Sequence, residues 1–225
     1  QIDNIKKAGA ERGGRCNDIT SIACDSGPGM QDVLANKETD FITSNAFSRL
    51  DSGNDSVFFK QPDFSPFWDS LALLQVSKLY QKLIPQKAQV LDLMSGAHSP
   101  LLEAEINVDS VSCAGLNDAE MEQNLSCNLK FNIDVNSMTS LPFHSAQFDT
   151  LLIHAAIEYV INPELLFAEI KRVLKPSGRV IISFSNRSIP EKAIQLWTGA
   201  HEFERPAIVL SYLRSSGGFC NFNSY

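Results

Sequence analysis

The stretch V-L-D-L-M-S-G-A-H at residues 90–98 decides the fold of this 225-residue chain. A short apolar run ends in a carboxylate, Asp92, and a turn that contains Gly96 follows at once. Ser99 and Pro100 then predict a helix start, because serine caps helices and proline suits their first turn. In open α/β sheets the ligand crevice lies outside the carboxyl ends of the strands, so this turn is the first place to look for a site.

The segments that follow alternate in the same way between strand-like and helix-like patterns. Strands are predicted at Ala88–Leu93, Ser110–Leu116, Leu129–Ile133, Phe148–His154 and Arg179–Ser185, and the last follows a turn at 175–178. Helices are predicted from Asp69 to before Pro85, then at Ser99–Glu105, Asp118–Ser126 and Pro163–Leu174. Strands that alternate with helices form right-handed crossovers. The sequence therefore predicts the α/β class, with a mostly parallel sheet and helices on both faces.

Residues 1–62 have a different composition, rich in Gly, Asp, Asn and Ser and without a sustained hydrophobic period. This predicts an irregular N-terminal extension at 1–62 and one main domain at 63–225. The aromatic clusters Phe58-Phe59 and Phe64 to Trp68 are too apolar for a free tail. We expect this part of the arm to dock on the domain.

Charge and composition restrict the partners. The chain has 19 Lys and Arg against 26 Asp and Glu, a formal charge of −7, which disfavours nucleic acid. It has no apolar run of the roughly 18 residues that a membrane-spanning helix needs.

Five cysteines without a C-x-x-C pattern predict that Cys113 and Cys220 are reduced and buried, and favour a reducing compartment. The start at Gln1 indicates a processed or partial chain, so both cytoplasm and an organelle stay open.

Two later motifs are more specific. L-P-F-H-S-A-Q-F-D at 141–149 leads into the fourth strand, and E-I-K-R-V-L-K-P-S-G at 169–178 leads into the fifth. Together with residues 90–98 they resemble the class I S-adenosylmethionine-dependent methyltransferases, in particular the type 11 domain group that acts on small molecules and quinones. S-N-R at 185–187 and S-G-G-F at 216–219 are similar to methyltransferase-like proteins of photosynthetic organisms. The resemblance covers about 69–219.

The resemblance implies a Rossmann-like sheet that ends in an antiparallel hairpin. Only the first strand of that hairpin, near Phe219 to Tyr225, has room in this chain, so the hairpin is expected to be incomplete.

The resemblance also implies a site for S-adenosylmethionine. Asp92 and Gly96 match the acid and one glycine of the family's first-strand motif, whereas Met94 and His98 stand where glycines are expected. Asn117 stands where an acid grips the ribose hydroxyls, and Asp134 matches the acid at the adenine amino group. The implied cofactor residues are therefore Asp92, Met94, Ser95, Gly96, His98, Asn117, Asp134 and Val135.

The departures from the family predict a weakened cofactor site. Met94 adds a Cβ at a turn where a positive φ is expected. Asn117 replaces a charge-assisted hydrogen bond of about 1.5–3 kcal/mol with a neutral one of about 1 kcal/mol. Contacts from Ser95 or His98 would compensate.

His154 to Glu158 occupy the segment that the resemblance places at the transferred methyl group. His154 is the first candidate for a general base, because imidazole titrates near neutrality. An equally good reading makes it a polar residue hydrogen-bonded at a strand terminus. Glu158 is the second candidate. No His or Cys spacing predicts a metal site.

Two functions therefore stay open. The first is an S-adenosylmethionine-dependent methyltransferase that acts on an unidentified small molecule. The second is a catalytically weakened protein of the same fold, a pseudoenzyme that serves as a binding or structural subunit of a larger, photosynthetic assembly. Both are compatible with a soluble protein of the cytoplasm or plastid stroma, and the second also with a peripheral place on a membrane complex.

Overall fold

The computed structural model describes residues 44–225 and the backbone of Ile22–Ala23. A five-stranded sheet forms its centre, with strands β1 (Gln89–Leu93), β2 (Ser110–Gly115), β3 (Leu129–Asn132), β4 (Phe148–His154) and β5 (Leu174–Ser183). All neighbouring pairs are parallel, and the order is β3-β2-β1-β4-β5. The predicted α/β class is confirmed. The order reverses between β1 and β4, which places a ligand crevice at their carboxyl ends.

Most helices begin where the sequence supplies a cap. Asp69, Ser99, Asn117 and Asn162 each accept a hydrogen bond from a backbone N–H of the first turn that follows them. The helices are α1 (Asp55–Phe58), α2 (Ser70–Leu83), α3 (Pro100–Glu103), α4 (Asp118–Gln123), α5 (Pro163–Val173), α6 (Gln195–Gly199) and α7 (Arg205–Ser215), with a 3₁₀ turn at Ile157–Tyr159.

The core lies on both faces of the sheet, because successive side chains of a strand point to opposite sides. Leu151 and Ile153 pack in a cluster with residues of α5, α6 and α7. Leu152, between them, packs in a second cluster with Tyr80 of α2 and Met121 of α4. The predicted two-sided arrangement is confirmed. None of the helices in the described part of the chain is long and apolar enough to cross a membrane.

Two details at the end of the sheet differ from expectation. β5 begins at Leu174, which pairs with Phe148, and pairing resumes only at Arg179 opposite Thr150. The predicted turn at 175–178 is therefore an irregularity inside the strand. The strand expected near Phe219 to Tyr225 is Asn223–Ser224, and it pairs with Ile22–Ala23 rather than with the edge of the main sheet.

The cysteine prediction holds only in part, because Cys113 is buried but not reduced and Cys220 is free but not buried. Cys113 of β2 forms a disulfide with Cys127, 14 residues later, and Cys220 is exposed. The return from β2 through α4 brings the two Cα atoms to 5.7 Å, within the usual disulfide range. No short cysteine motif marks this pair, because the crossover and not local spacing brings it together.

Candidate functional site

The turn after β1 depends on a glycine in the neighbouring strand. Met94 has φ of 60°, so the predicted positive φ is confirmed. Ser95 N donates to Ala114 O at 2.9 Å, and this draws the turn over the end of β2. A Cβ on Gly115 would lie 2.1 Å from Ser95 O, so only glycine fits there.

A buried asparagine holds the same turn from the other side. Asn124 Nδ2 donates to Ser95 Oγ at 3.2 Å and to Gly96 O at 3.1 Å. Its Oδ1 accepts from the N–H and the hydroxyl of Ser126, next to the disulfide at Cys127. Sequence reasoning missed Asn124, since an asparagine after a short helix gives no signal of burial.

Asp92 is a buried carboxylate at the end of β1, only 2% exposed. Burial raises its pKa to about 6, although hydrogen bonds from the Ser99 and Ser95 hydroxyls act in the opposite direction. Ser95 Oγ donates to its Oδ2 at 3.2 Å. A carboxylate in this setting favours a cationic ligand group, which would restore the charge balance lost on burial.

Residues 59–68, named the strap here, cross the crevice at the ends of β1 and β2. Asn117 Nδ2 donates to the carbonyl oxygens of Phe59 and Lys60 at 2.9 and 3.1 Å. The Oδ1 of the same side chain accepts from Ala119 N and Glu120 N and so caps α4. A carboxylate at 117 could cap the helix but could not donate to the strap. This double role is a physical reason for an amide where the resemblance implies an acid.

Further contacts fasten the rest of the strap. Glu120 Oε1 accepts from Asp63 N at 2.9 Å, and His98 Nε2 lies 2.7 Å from Phe64 O. The Arg187 guanidinium donates to Phe67 O and lies over the Phe67 ring. Trp68 is buried, and its ring is 4.3 Å from the imidazole of His154, edge to face. The expected docking of the arm is confirmed for these residues.

The remaining cofactor candidates lie past β3. Asp134 Oδ1 accepts from Asn136 N at 2.9 Å, and Val135 is buried in the core. Asn136 links this turn to the 3₁₀ turn, since its Nδ2 donates to Tyr159 O at 2.9 Å and its Oδ1 accepts from Ile161 N at 3.0 Å. A groove of ≈ 370 Å³ runs beside them, lined by Ser56, Lys60, Leu116, Asn117, Asp118, Ala119 and Asn132.

His154, at the end of β4, is held from β5. Its Nδ1 lies 2.8 Å from Ser183 Oγ, and Ser183 Oγ lies 3.3 Å from Tyr80 Oη. Burial lowers the pKa of His154 to about 4. The imidazole is therefore neutral at physiological pH and a weak base there.

Glu158, in the 3₁₀ turn, is fully buried. Neither carboxylate oxygen has a hydrogen-bond partner in another residue of the range 44–225. Burial raises its pKa to about 7, while the backbone N–H of Glu158 itself and the positive charge of Arg205 act in the opposite direction. Within the same described range, Trp197 Nε1 and Tyr212 Oη also lie buried without a partner. Two titratable groups of one segment are thus pushed apart in pKa, which is typical of acid–base sites.

The structure brings most of the predicted site residues to one edge of the sheet. Asp92, Met94, Ser95, Gly96 and His98 lie in the turn after β1, Asn117 follows β2, and His154 and Glu158 follow β4. Asp134 and Val135 join them through Asn136. The described residues contain no group of three or more His, Cys, Asp or Glu that could hold a metal.

The chain is similar to known proteins over part of its length. Residues 91–182 match the family model for a methyltransferase domain. A stretch of 47 residues is 43% identical to an uncharacterized protein of Methanocaldococcus jannaschii, over 21% of this chain and 23% of that protein. The chain therefore spans less than a quarter of the length of this relative.

Two solved structures have similar folds. The [4+2]-cyclase SpnF has a TM-score of 0.51 and 18% identity, over 70% of this chain and 62% of its own. An S-adenosylmethionine dependent methyltransferase from Mesorhizobium loti has a TM-score of 0.47 and 17% identity, over 64% of this chain and 82% of its own. At such identities the likeness to the cyclase is one of fold alone, and it agrees with the Rossmann-like sheet.

Proposed function

We propose that this chain, whose residues 91–182 match the family model for a methyltransferase domain, is a class I S-adenosylmethionine-dependent methyltransferase that binds S-adenosylmethionine and methylates a small molecule. The observation that carries the proposal is the buried carboxylate of Asp92 beneath a turn that Gly115 and Asn124 hold in place. This arrangement lies where the strand order reverses, which is where an α/β sheet binds its ligand.

The residues present fit such a cofactor, but one of them already makes hydrogen bonds within the protein. Asp92 offers a buried negative charge to a cationic group, and the groove beside Asn117 and Lys60 offers room at the ends of β2 and β3. The Nδ2 of Asn117, however, already donates to the strap. Ribose hydroxyls would have to compete with two carbonyl groups for it. We therefore expect weaker binding than an acid at this position would provide.

When bound, the cofactor supplies an activated methyl group, so the protein mainly positions the acceptor and removes its proton. An electron pair of an O or N atom, or the electron pair that deprotonation leaves on a carbon atom, would form the new bond to the methyl carbon, and the pair of the broken S–C bond would remain on sulfur. We assign the removal of the acceptor's proton to Glu158. Its pKa of about 7 suits a base, and its oxygens have no partner in another of the described residues. His154, our first candidate from the sequence, is the poorer base at pKa about 4.

The second candidate function, a catalytically weakened subunit of a larger assembly, has its own supporting observation. The strap uses the side chain of Asn117 that would otherwise face the ribose. Part of the aromatic segment 58–68 remains exposed, since Phe58 and Phe64 are 39% and 44% accessible. We propose this segment as the contact surface in that case, in a cytoplasmic or plastid assembly.

Calorimetric titration with S-adenosylmethionine separates the two functions. The methyltransferase proposal expects binding in the micromolar to sub-millimolar range, abolished in Asp92→Ala. Asp109→Ala is the matched control, because Asp109 lies at the opposite, amino-terminal edge of the sheet next to β2. Absence of heat and of a thermal shift at millimolar ligand would overturn the proposal.

The second function, a subunit of a larger assembly, is tested on the protein in an extract of its native source. Native gel filtration of an extract should place the protein in a high-molecular-weight fraction if it is a subunit. Migration only as a free monomer removes that alternative.

A further inference from the structure

We propose that Tyr80 and Ser183 are positioning residues that hold the neutral imidazole of His154 in the form that carries its proton on Nε2. The three side chains form a chain of hydrogen bonds from α2 through the end of β5 to the end of β4. The register of the sheet creates it, since His154 and Ser183 are direct partners in the β4–β5 pair. Ala155 N donates to Ser183 O at 2.8 Å and fixes the two strand ends together.

The direction of the chain follows from Tyr80. Its side chain has no exposed surface, and among the described residues Ser183 Oγ is its one hydrogen-bond partner, at 3.3 Å. A buried O–H group needs an acceptor. Asp92 is close enough to raise the pKa of Tyr80 through its charge, but its carboxylate accepts from serine hydroxyls and makes no hydrogen bond with Tyr80. Tyr80 therefore donates to Ser183 Oγ.

Ser183 then has one proton to give. Its hydroxyl receives a hydrogen bond from Tyr80 and lies 2.8 Å from His154 Nδ1. A serine hydroxyl donates once. With Tyr80 as a donor, His154 Nδ1 is the one acceptor for the Ser183 proton among the described residues, so the Ser183 O–H points at Nδ1 and Nδ1 is the nitrogen without a proton. In the reverse direction Ser183 Oγ would accept from both Tyr80 and Nδ1, and the Ser183 O–H itself would have no acceptor among the described residues.

Because the imidazole of His154 is neutral, the position of its single proton decides which hydrogen bonds its two nitrogens make. Burial keeps the pKa of His154 at about 4, and the Trp68 ring covers the imidazole. At neutral pH the ring therefore carries a single proton, and its location decides whether Nε2 donates or accepts a hydrogen bond.

The consequence for the reaction rests on the proposed function. With its proton on Nε2, His154 cannot act as a base through that nitrogen and instead offers an N–H donor. The group that binds there must present a lone pair, as a carbonyl, phenolate or ring-nitrogen acceptor does. This favours small-molecule acceptors with such an atom beside the methylated position and leaves proton removal to Glu158.

Long-range ¹H–¹⁵N correlation spectra of the labelled protein test the assignment directly. His154 is identified as the one of four histidine signals that His154→Asn removes. In the unmodified protein we expect Nδ1 to resonate as an unprotonated nitrogen and Nε2 as a protonated one. Tyr80→Phe removes the donor that orients the Ser183 hydroxyl and strengthens its hydrogen bond to Nδ1, so the preference for the Nε2-protonated form should weaken and the Nδ1-protonated form should appear. Tyr212→Phe is the matched control, because the Tyr212 hydroxyl is buried without a partner among residues 44–225.

A second pair of variants covers a failure of Tyr80→Phe to fold. Ser183→Ala should lose the fixed tautomer, and Ser183→Thr, which keeps the hydroxyl, should restore it. A protonated Nδ1 in the unmodified protein, or identical spectra for the unmodified protein, Tyr80→Phe and Ser183→Ala, would overturn the proposal. The spectra need no S-adenosylmethionine, so a failure of cofactor binding overturns the proposed function and leaves this result to stand.

Discussion

The two halves of the crevice that the proposed function implies, one for the methyl donor and one for the methyl acceptor, use their polar side chains in opposite ways. In the donor half, defined by the ends of β1 and β2 and the loop after α4, Asp92, Asn117 and Asn124 all have hydrogen-bond partners inside the protein. In the acceptor half, formed by the 3₁₀ turn, α6 and α7, Glu158, Trp197 and Tyr212 keep buried polar atoms without a partner in the described part of the chain.

This difference indicates in which half the polar side chains are already held by hydrogen bonds within the protein. Nearly all buried polar groups in folded proteins are hydrogen-bonded, so each exception needs an explanation. In the donor half Asp92, Asn117 and Asn124 are satisfied within the protein, although Trp68 Nε1 of the strap is not, and a ligand there must compete with these internal hydrogen bonds. The acceptor half retains buried polar atoms without a partner in the described part of the chain, and the proposed function would use the carboxylate of Glu158 among them.

Gly115→Ala should have the largest effect, because it breaks the donor half. The added Cβ would lie 2.1 Å from Ser95 O, a backbone atom that cannot rotate away. We expect the free energy of unfolding to fall by about 3 kcal/mol or more. Denaturant unfolding measures it. Gly199→Ala is the control, since nothing lies within 4 Å of its Cβ, and a change within about 1 kcal/mol is expected. Equal effects for both would refute the close approach.

Glu158→Gln should have the next largest effect, and a pH-dependent one, because it acts on the acceptor half. The folded-state pKa of about 7 lies above the ordinary value of 4.5. The contribution of Glu158 to stability is therefore fully present below about pH 4.5 and is lost as pH rises through about 7. The substitution removes this loss, so at pH 8 it should stabilise the protein by about 3 kcal/mol relative to its effect at pH 4.5.

Denaturant unfolding at both pH values measures this difference for Glu158→Gln. Glu202→Gln, at an exposed position, is the matched control and should show no comparable dependence. A pH-independent effect of Glu158→Gln would mean that the carboxylate has a partner in the folded protein.

Asn117→Asp should have the smallest effect and a local one. Aspartate caps a helix as well as asparagine does, so α4 is retained, but the two hydrogen bonds to Phe59 O and Lys60 O are lost. We expect a cost of about 1–2 kcal/mol and faster hydrogen exchange within the strap, with β4 unchanged. Asn162→Asp is the control, because Asn162 caps α5 through its Oδ1 in the same way. Unchanged exchange in the strap would show that Asn117 does not hold it.

Much of the fold could be predicted because its signals are local. The strand of residues 148–154 was predicted with the bounds that the structure has, since the apolar run Leu151–Ile153 marks its centre. The cap Ser99 was identified from residue type alone. The turn at 175–178 was identified, but its place inside β5 was not, because pairing with β4 on both sides of it is a long-range event.

The candidate site was predictable in outline and not in its contacts. Position after a strand was enough to single out Asp92, Asn117 and His154. Asn124, Ser183 and Tyr80 could not be found, since their partners lie far away in the chain. Tyr80 and Ser183, for example, are 103 residues apart. No local pattern encodes which of several serines will lie beside a given histidine.

The amino-acid sequence by itself determined the alternation of strands and helices, the caps and the edge of the sheet where chemistry is expected, because periodicity and residue type act over a few neighbouring positions. Only the tertiary structure decided that the strap claims the amide of Asn117, that Cys113 pairs with Cys127, and that Glu158 is buried without a partner among the described residues. The physical reason is that burial and pairing are properties of the assembled sheet. A carboxylate keeps its ordinary pKa in the chain and changes it only when folding removes the water around it.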